Sequence, residues 1–269
     1  MSPEAEGLGK FSLNFAWAYA HKDAKRLRGK AIMKFMNLLA AICATLCIVS
    51  AAAPVRAASP EESFQQSFPK IRADDIRPAG IQGLYEVVSG SRILYYAPGP
   101  EYIVYGPIVT REGRNLTEER VLKILEQGLK RVPLEKALRI GAGPHQVIEI
   151  TDPDCPYCRK ASAFLSGRND VTRHVFFFLL ASHPNAEAKV RQIFCAENRA
   201  KVYEEAMTGK LDDMKFTPCK TAAVDDLLKA HREIGDRVGV TGTPLFLIDG
   251  QVVFGADIPG MERILGGKK

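Results

Sequence analysis

The sequence predicts an α/β protein in which a small strand-rich domain precedes a larger domain of mixed strands and helices. Three short runs of β-branched and aromatic residues follow one another between residues 84 and 106, separated by Gly90-Ser91 and Pro98-Gly99-Pro100. From residue 146 onwards, apolar strand-like runs alternate with segments of helical periodicity. The 269 residues are enough for a leader and two modest domains, and a hydrophobic content of 46% is enough for a core.

Residues 1–57 predict a leader for export. Basic residues cluster between Lys25 and Lys34, an apolar run follows from Phe35 to Ala53, and Val55-Arg56-Ala57 resembles a signal-peptidase site. A transmembrane anchor is the alternative, but the apolar run is barely long enough to span a bilayer. Because Met33 begins a normal signal start by itself, residues 1–32 are interpreted as an over-extended reading frame, and both start codons stay open.

The charge pattern argues against a nucleic-acid partner. The net charge is +6, but the leader holds 8 of the 37 basic and 3 of the 31 acidic residues, so the rest of the chain is almost balanced. A nearly neutral chain lacks the basic surface that nucleic-acid binding requires. We therefore expect protein partners and no nucleic acid.

Residues 58–116 predict a small antiparallel sheet with strands at Leu84–Val88, Arg92–Tyr96 and Tyr102–Gly106. A domain of this size is marginal alone, and its sheet edge would gain from pairing with a second copy. We therefore expect a homodimer formed through this N-terminal domain.

An amphipathic helix is predicted over residues 117–134. Asn115 or Thr117 is the expected N-cap, and Pro133 ends the segment. Because its polar face is heavily charged, we interpret it as a linker helix between two domains and not as a core helix.

Residues 135–269 predict the larger domain. Its elements come in the order strand, helix, strand, helical block, two strands and a closing helix, which is the thioredoxin arrangement with an inserted helical block. The predicted ranges are Val147–Ile150, Cys158–Leu165, His174–Leu180, Asn185–Asp236, Pro244–Ile248, Val252–Phe254 and Ile258–Leu265.

Cys155-Pro156-Tyr157-Cys158 follows the first strand of this domain and opens its first helix. One helical turn lets the two sulfurs meet as a disulfide, while the unpaired N–H groups of the helix start stabilise a thiolate at the first cysteine. Since the thiolate is the attacking species, Cys155 is predicted to attack substrate disulfides and Cys158 to resolve the mixed disulfide. An inert structural disulfide is the alternative.

Thr243-Pro244 stands at the start of the third core strand. In thioredoxin-like domains a proline at this place is cis and lies against the C-x-x-C, where the preceding backbone can pair with an extended substrate peptide. Thr243, Pro244 and Tyr157 are therefore the predicted substrate groove.

Four cysteines remain after the leader, since Cys43 and Cys47 belong to it. An even number in an exported chain indicates an oxidising compartment. Cys195 and Cys219 are predicted to form a structural disulfide that staples the inserted helices. A zinc site with Cys155 and Cys158 is the alternative, but the second pair lacks the tight spacing of a zinc knuckle. We expect no metal and no cofactor.

The sequence does not decide the roles of three charged residues near the C-x-x-C. Glu149, six residues before Cys155, is either a buried acid that relays protons to the second cysteine or an ordinary solvent-facing strand residue. Asp154 disfavours a neighbouring thiolate and Arg159 favours it, so the sign of the local charge effect is undecided.

Residues from about 66 to 269 resemble the periplasmic DsbC/DsbG disulfide isomerases of Gram-negative bacteria, and DsbC more closely. The residues that carry the resemblance are Ile81–Val87, Gly113–Glu119, Thr151-Asp152 before the C-x-x-C, the pair Cys195 and Cys219, and Gly242-Thr243-Pro244.

The resemblance implies a V-shaped periplasmic homodimer, with small α+β (cystatin-like) N-terminal domains, linker helices and two thioredoxin domains that face an apolar cleft. It implies misoxidised exported proteins as substrates and a membrane reductant of the DsbD type as partner. DsbC typically has Gly-Tyr between its cysteines, whereas this chain has Pro156-Tyr157, as DsbG-like proteins do. Isomerase, DsbG-like reductase of single cysteines, and holdase chaperone are therefore the three functional hypotheses.

Overall fold

The computed structural model describes residues 58–214, 217 and 219–266, and the predicted leader lies outside this range. Within the described residues, no helix is long and apolar enough to cross a membrane. The strands form two separate sheets, one of four strands and one of five.

The N-terminal domain is an antiparallel sheet covered by one helix. The elements are α1 (Pro60–Ser67), β1 (Asp75–Pro78), β2 (Tyr85–Ser89), β3 (Arg92–Ala97) and β4 (Tyr102–Val104). The strands lie in sequence order, so β1 and β4 are the edges. Phe64 of α1 packs on Val87, Leu94 and Tyr96 of the sheet. The sequence did not predict β1, whose polar and mostly exposed residues carry no strand pattern.

Helix α2 (Leu116–Leu129) connects the two sheets. Its N-cap is Asn115, whose side chain accepts a hydrogen bond from the N–H of Glu118 at 3.0 Å. Leu125 and Leu129 are buried against the second sheet, so the apolar face of α2 belongs to that domain's core. The prediction of a linker outside the core was therefore wrong for this face, because a charged polar face says nothing about what the opposite face contacts.

The larger domain is built on the second sheet, with strand order β5-β7-β6-β8-β9. Strands β6 and β7 are parallel and the other pairs are antiparallel. The elements are a 3-10 helix (Leu134–Lys136), β5 (Leu138–Gly141), β6 (His145–Thr151), α3 (Pro156–Ser166), β7 (Val171–Phe177), α4 (Ala186–Cys195), α5 (Arg199–Met207), α6 (Ala222–Val238), β8 (Leu245–Ile248), β9 (Gln251–Phe254) and α7 (Ile258–Gly266).

This arrangement confirms the predicted thioredoxin fold, and helices α4, α5 and α6 form the inserted block. The second strand is shifted from the predicted His174–Leu180 to Val171–Phe177. The chain leaves the sheet there because the N–H of Leu180 turns to the buried carboxylate of Asp152, at 2.8 Å. Strand β5, which the sequence did not predict, extends the sheet beyond β7.

The tip of the β2–β3 hairpin contacts the end of α6. Gly239 ends this helix with a φ of +81°, and a Cβ there would collide with the backbone of the hairpin. The hydroxyl of Ser91 donates a hydrogen bond to the carbonyl of Gly239. The loop from residue 239 to Pro244 therefore starts at a contact with the N-terminal domain.

Candidate active site

Cys155 and Cys158 lie where β6 gives way to α3. Cys155 is the N-cap of α3 and Pro156 occupies its first position, where the missing proline N–H costs no helical hydrogen bond. Both cysteines are free thiols. Tyr157, between them, is 64% exposed, whereas Cys158 is fully buried. Cys155 is also buried, at 4% exposure, so the two thiols differ in their position at the helix start and not in their access to solvent.

The loop before β8 lies against Cys155. The Thr243–Pro244 peptide bond is cis. The Cys155 thiol donates to the carbonyl oxygen of Thr243, with Sγ and O separated by 3.5 Å. The N–H of Gly255 donates to the carbonyl of Pro244 at 2.8 Å, which joins this loop to the strand beside it. Of the residues predicted for the groove, Thr243 therefore contacts Cys155, Pro244 follows it in the same loop, and Tyr157 lies within the C-x-x-C itself.

Burial raises the pKa of Cys158 to about 12. The hydroxyls of Thr151 and Thr243 and the N–H of Asp152 act in the opposite direction, because they stabilise the thiolate. The Asp152 nitrogen lies 3.4 Å from the Cys158 sulfur. Cys158 is therefore a protonated, enclosed thiol with three potential donors directed at it.

A buried cluster of polar side chains lies beneath α3. It consists of Glu149 on β6, Arg173 on β7, Ser162 on α3, and Tyr203 and Glu204 on α5. The Arg173 guanidinium donates two hydrogen bonds to Glu149, at 3.0 and 2.9 Å. The Tyr203 hydroxyl donates to the other Glu149 oxygen at 2.8 Å. Of the two alternatives left open for Glu149, the structure excludes the solvent-facing residue, because Glu149 is fully buried and the inserted helix α5 covers this face of the strand.

The charges of this cluster support one another. Burial is the largest single influence on the pKa of Arg173 and lowers it, but Glu149, Tyr203 and Glu204 together outweigh burial, so the net shift is upward. Burial raises the pKa of Tyr203 well above its usual value, so this phenol stays protonated. Among the described residues, no hydrogen bond joins Glu149 to Cys158.

A second cluster lies at the rim of the site, and we name Asp154, Arg159, Lys189 and Asp212 the rim cluster. Lys189 of α4 contacts both carboxylates. Arg159 of α3 donates to Asp212 at 2.8 and 2.7 Å and to Asp154 at 3.2 Å. The charges of the two cations and two anions sum to zero. Asp154 and Arg159, for which the sequence indicated opposing effects on a neighbouring thiolate, therefore belong to one ion-pair network.

Sequence reasoning missed Arg173, Tyr203, Lys189 and Asp212. Arg173 stands between Thr172 and His174 and just before the strand predicted from His174, so no local pattern marked it as buried. Lys189 and Asp212 lie in a region of ordinary mixed polarity, where nothing separates a cluster member from a solvated charge.

The structure joins Cys195, at the end of α4, to Cys219 by a disulfide, with 6.4 Å between their Cα atoms. A zinc site that uses all four cysteines is incompatible with this bond. In the part of the chain that the structure describes, no group of three or more His, Cys, Asp or Glu side chains is placed to hold a metal ion.

A thioredoxin fold with a C-x-x-C at a helix start, beside a cis-proline loop, defines a thiol-disulfide oxidoreductase. Two family models match: "Disulfide bond isomerase protein N-terminal domain" over residues 50–118 and "Thioredoxin-like domain" over residues 135–263. The chain belongs to the DsbC family of thiol:disulfide interchange proteins, which confirms the resemblance found in the sequence.

Two relatives in sequence support this assignment. The chain is 27% identical over 213 residues to "Thiol:disulfide interchange protein DsbC" of Escherichia coli K12, covering 75% of this chain and 83% of the relative. It is 30% identical over 202 residues to "Probable thiol:disulfide interchange protein DsbC" of Bordetella pertussis, covering 73% and 69%. A solved disulfide interchange protein from Neisseria gonorrhoeae is 26% identical and covers 50% of this chain and 96% of its own, with a TM-score of 0.43.

Proposed function

We propose that this enzyme rearranges incorrect disulfides in exported proteins of the periplasm, through a mixed disulfide at Cys155 that Cys158 resolves. The carrying observation is the asymmetry of the two thiols. Both thiols are buried, but Cys155 is the N-cap of α3 and lies 3.5 Å from the Thr243 carbonyl, whereas Cys158 lies inside the first turn and its pKa is raised to about 12.

In the first step the Cys155 thiolate attacks one sulfur of a substrate disulfide. A bond forms between Cys155 and that sulfur as the substrate S–S bond breaks, and the other substrate sulfur leaves as a thiolate that takes a proton from solvent. The backbone next to Pro244 and the exposed ring of Tyr157 support the role of a groove for the substrate peptide, because both border Cys155.

The mixed disulfide can then follow two routes. A second substrate thiolate can attack it, which forms a different substrate disulfide and returns Cys155 as a thiolate without net oxidation. Alternatively, Cys158 attacks the Cys155 sulfur, which releases a substrate reduced by two electrons and leaves the enzyme oxidised. Because the buried Cys158 is almost fully protonated at neutral pH, its attack is slow, and the first route has time to occur.

Repeated cycles need a reductant and a dimer. A membrane thiol reductant of the DsbD type would return the two electrons to an oxidised Cys155–Cys158 pair. The edge strand β4 supports a homodimer, since Tyr102 and Val104 on it and Tyr105 beside it are exposed apolar residues on an unpaired sheet edge of the described chain.

Glu149 is proposed as the proton relay to Cys158. Its complete burial supports this role, and it lies on β6, the strand that leads directly to the site. Its carboxylate also accepts from Arg173 and Tyr203, so Glu149→Gln tests two functions together. If Glu149 is a relay, Glu149→Gln should release the substrate from the mixed disulfide more slowly than wild type, while the rate of Cys155 alkylation stays the same. If Glu149 is purely structural, the folded fraction of the variant should release the substrate at the wild-type rate.

The central test is the reactivation of scrambled ribonuclease by the reduced protein. Wild type should restore ribonuclease activity, Cys155→Ala should abolish the effect, and Cys158→Ala should retain part of it while mixed disulfides accumulate. Trapping these adducts in the periplasm with Cys158→Ala would identify the substrates. No reactivation by the reduced dimer would overturn the isomerase proposal.

Pro156-Tyr157 favours a second candidate, a DsbG-like reductase that protects single cysteines. The residues between the cysteines tune the redox potential, and this pair differs from the Gly-Tyr of DsbC. A reductase would trap proteins with one cysteine on Cys158→Ala and leave scrambled ribonuclease unchanged. A holdase chaperone, supported by the exposed apolar residues, would still suppress aggregation after loss of both active-site thiols.

A further inference from the structure

The side chain next to the attacking thiol is a carboxylate. Asp154 directly precedes Cys155 in the chain, and an uncompensated negative charge near a thiol disfavours a second one on the sulfur. Asp154 is held in place because its N–H donates to the buried Asp152 carboxylate at 2.8 Å. What neutralises this charge therefore affects the chemistry of the neighbouring cysteine.

Two cations contact Asp154, and they differ in their other partners and in their exposure to solvent. Arg159 makes two hydrogen bonds to Asp212, one to the Pro153 carbonyl at 2.7 Å, and one to Asp154 at 3.2 Å. Lys189 contacts Asp154 directly, and its side chain is only 5% exposed. Because water screens a buried charge less than an exposed one, the Lys189 ammonium is the more effective partner.

The rest of the rim cluster keeps this contact in place. Arg159 lowers the pKa of Asp212 to about 2, so Asp212 is ionised near neutral pH and attracts both cations. The bend after α5 passes close to this pair at Gly209, where a Cβ would lie 3.0 Å from an Asp212 oxygen and 3.4 Å from Arg159 Nη1. Lys189 and Asp212 belong to the inserted helical block, whereas Asp154 and Arg159 belong to the C-x-x-C segment.

We propose that Lys189 is a positioning residue that offsets the charge of Asp154 and thereby determines how readily Cys155 forms its thiolate. The helical insertion thus sets the reactivity of the nucleophile from outside the C-x-x-C. The inference rests on the proposed function, because it needs Cys155 to be the attacking thiol.

The test compares Asp154→Asn, Lys189→Met and the double variant, each in a Cys158→Ala background, by the rate of Cys155 alkylation with iodoacetamide at pH 6. Lys189→Met leaves an extra negative charge and should slow alkylation by roughly three- to tenfold, and Asp154→Asn should accelerate it by a similar factor. The double variant restores neutrality and should fall within about twofold of the parent.

The opposite changes in alkylation rate distinguish a charge effect from structural damage. Structural damage would change the rate in the same direction in both single variants, and most strongly in the double variant. In proteins that retain Cys158, the equilibrium with glutathione gives a second readout. Lys189→Met destabilises the reduced form and should make the protein a weaker oxidant, while Asp154→Asn should make it a stronger one.

Two variants serve as controls. Asp170→Asn makes the same charge change in a carboxylate that is paired with Arg168 and lies just before the start of β7. This variant should leave the rate of Cys155 alkylation unchanged. Lys189→Arg keeps the charge and should keep the rate within about twofold. If Lys189→Met does not fold, Asp154→Asn and Lys189→Arg still give contrasting predictions.

Failure of the inference and failure of the proposed function are distinguishable. A Cys155 that is alkylated no faster than a cysteine in the unfolded chain would overturn the proposed function. A rapidly alkylated Cys155 whose rate is the same in Asp154→Asn and its parent would overturn the role of the rim cluster alone.

Discussion

The buried cluster and the rim cluster both contact α3, yet they are built differently. Glu149 and Arg173 are 0% and 1% exposed, and only Glu204, a second partner of Arg173 in the cluster, reaches the surface with 35% exposure. In the rim cluster, Arg159 is 26% and Asp212 37% exposed. Water can replace a lost partner of Arg159 or Asp212, whereas Lys189 in the same cluster is only 5% exposed and Glu149 is fully buried. The same ion-pair chemistry therefore stabilises the fold in one place and adjusts a neighbouring thiol in the other.

The largest effect is expected in the buried cluster. Arg173→Met leaves Glu149 as an uncompensated buried charge, which should lower the free energy of unfolding by about 3–5 kcal/mol. Urea unfolding followed by far-UV circular dichroism, at fixed protein concentration, measures the change. Replacing both residues by Met should recover much of the loss, because an apolar pair needs no partner. A loss below about 1 kcal/mol in Arg173→Met would contradict the contrast between the clusters.

The disulfide is the next largest contribution. Cys195 and Cys219 are separated by 24 positions and close the segment between α4 and α6, which supplies Tyr203 to one cluster and Asp212 to the other. Replacing both by Ser should cost about 3 kcal/mol through the freed unfolded chain. If the insertion sets Cys155 reactivity as proposed, the variant should also change its alkylation rate. An unchanged rate of Cys155 alkylation in a destabilised variant would show that the rim cluster forms without the disulfide.

Tyr203→Phe removes one hydroxyl from the buried cluster and leaves its ion pair intact. The Glu149 oxygen loses its 2.8 Å donor, so a loss of about 2 kcal/mol is expected, as for hydrogen bonds to charged groups. Tyr85→Phe, a hydroxyl removed from the N-terminal sheet, is the control. Equal unfolding midpoints for the two variants would remove Tyr203 from the stabilising network.

The smallest effect is expected from Asp212→Asn at the rim. A carboxyl group whose pKa is lowered on folding contributes stability above its unfolded pKa, and this stability disappears as pH falls through the folded value of about 2. Solvent screening limits the contribution to less than about 1 kcal/mol near neutral pH. Wild type and variant should therefore converge as the pH falls from 4 to 2. A constant difference over that range would assign the effect to packing instead of charge.

Much of the site was recognisable because it consists of local patterns. Cys155 and Cys158 follow an apolar strand, Thr243-Pro244 precedes another, and each motif needs only its flanking residues to be identified. The order of elements was equally local, and among the described strands only the short β1 and β5 were not predicted, since neither has an alternating apolar pattern of useful length.

The sequence by itself determined the family, the thioredoxin order of elements and the strand-to-helix position of the C-x-x-C, because periodicity, capping and motif spacing are properties of neighbouring residues. Only the tertiary structure decided which charges meet. Arg173 is 24 positions from Glu149, and Lys189 is 35 positions from Asp154. Such pairs depend on how the inserted helices pack over the active-site helix, and burial of the resulting contacts decides whether a charge supports the fold or acts on the nucleophile.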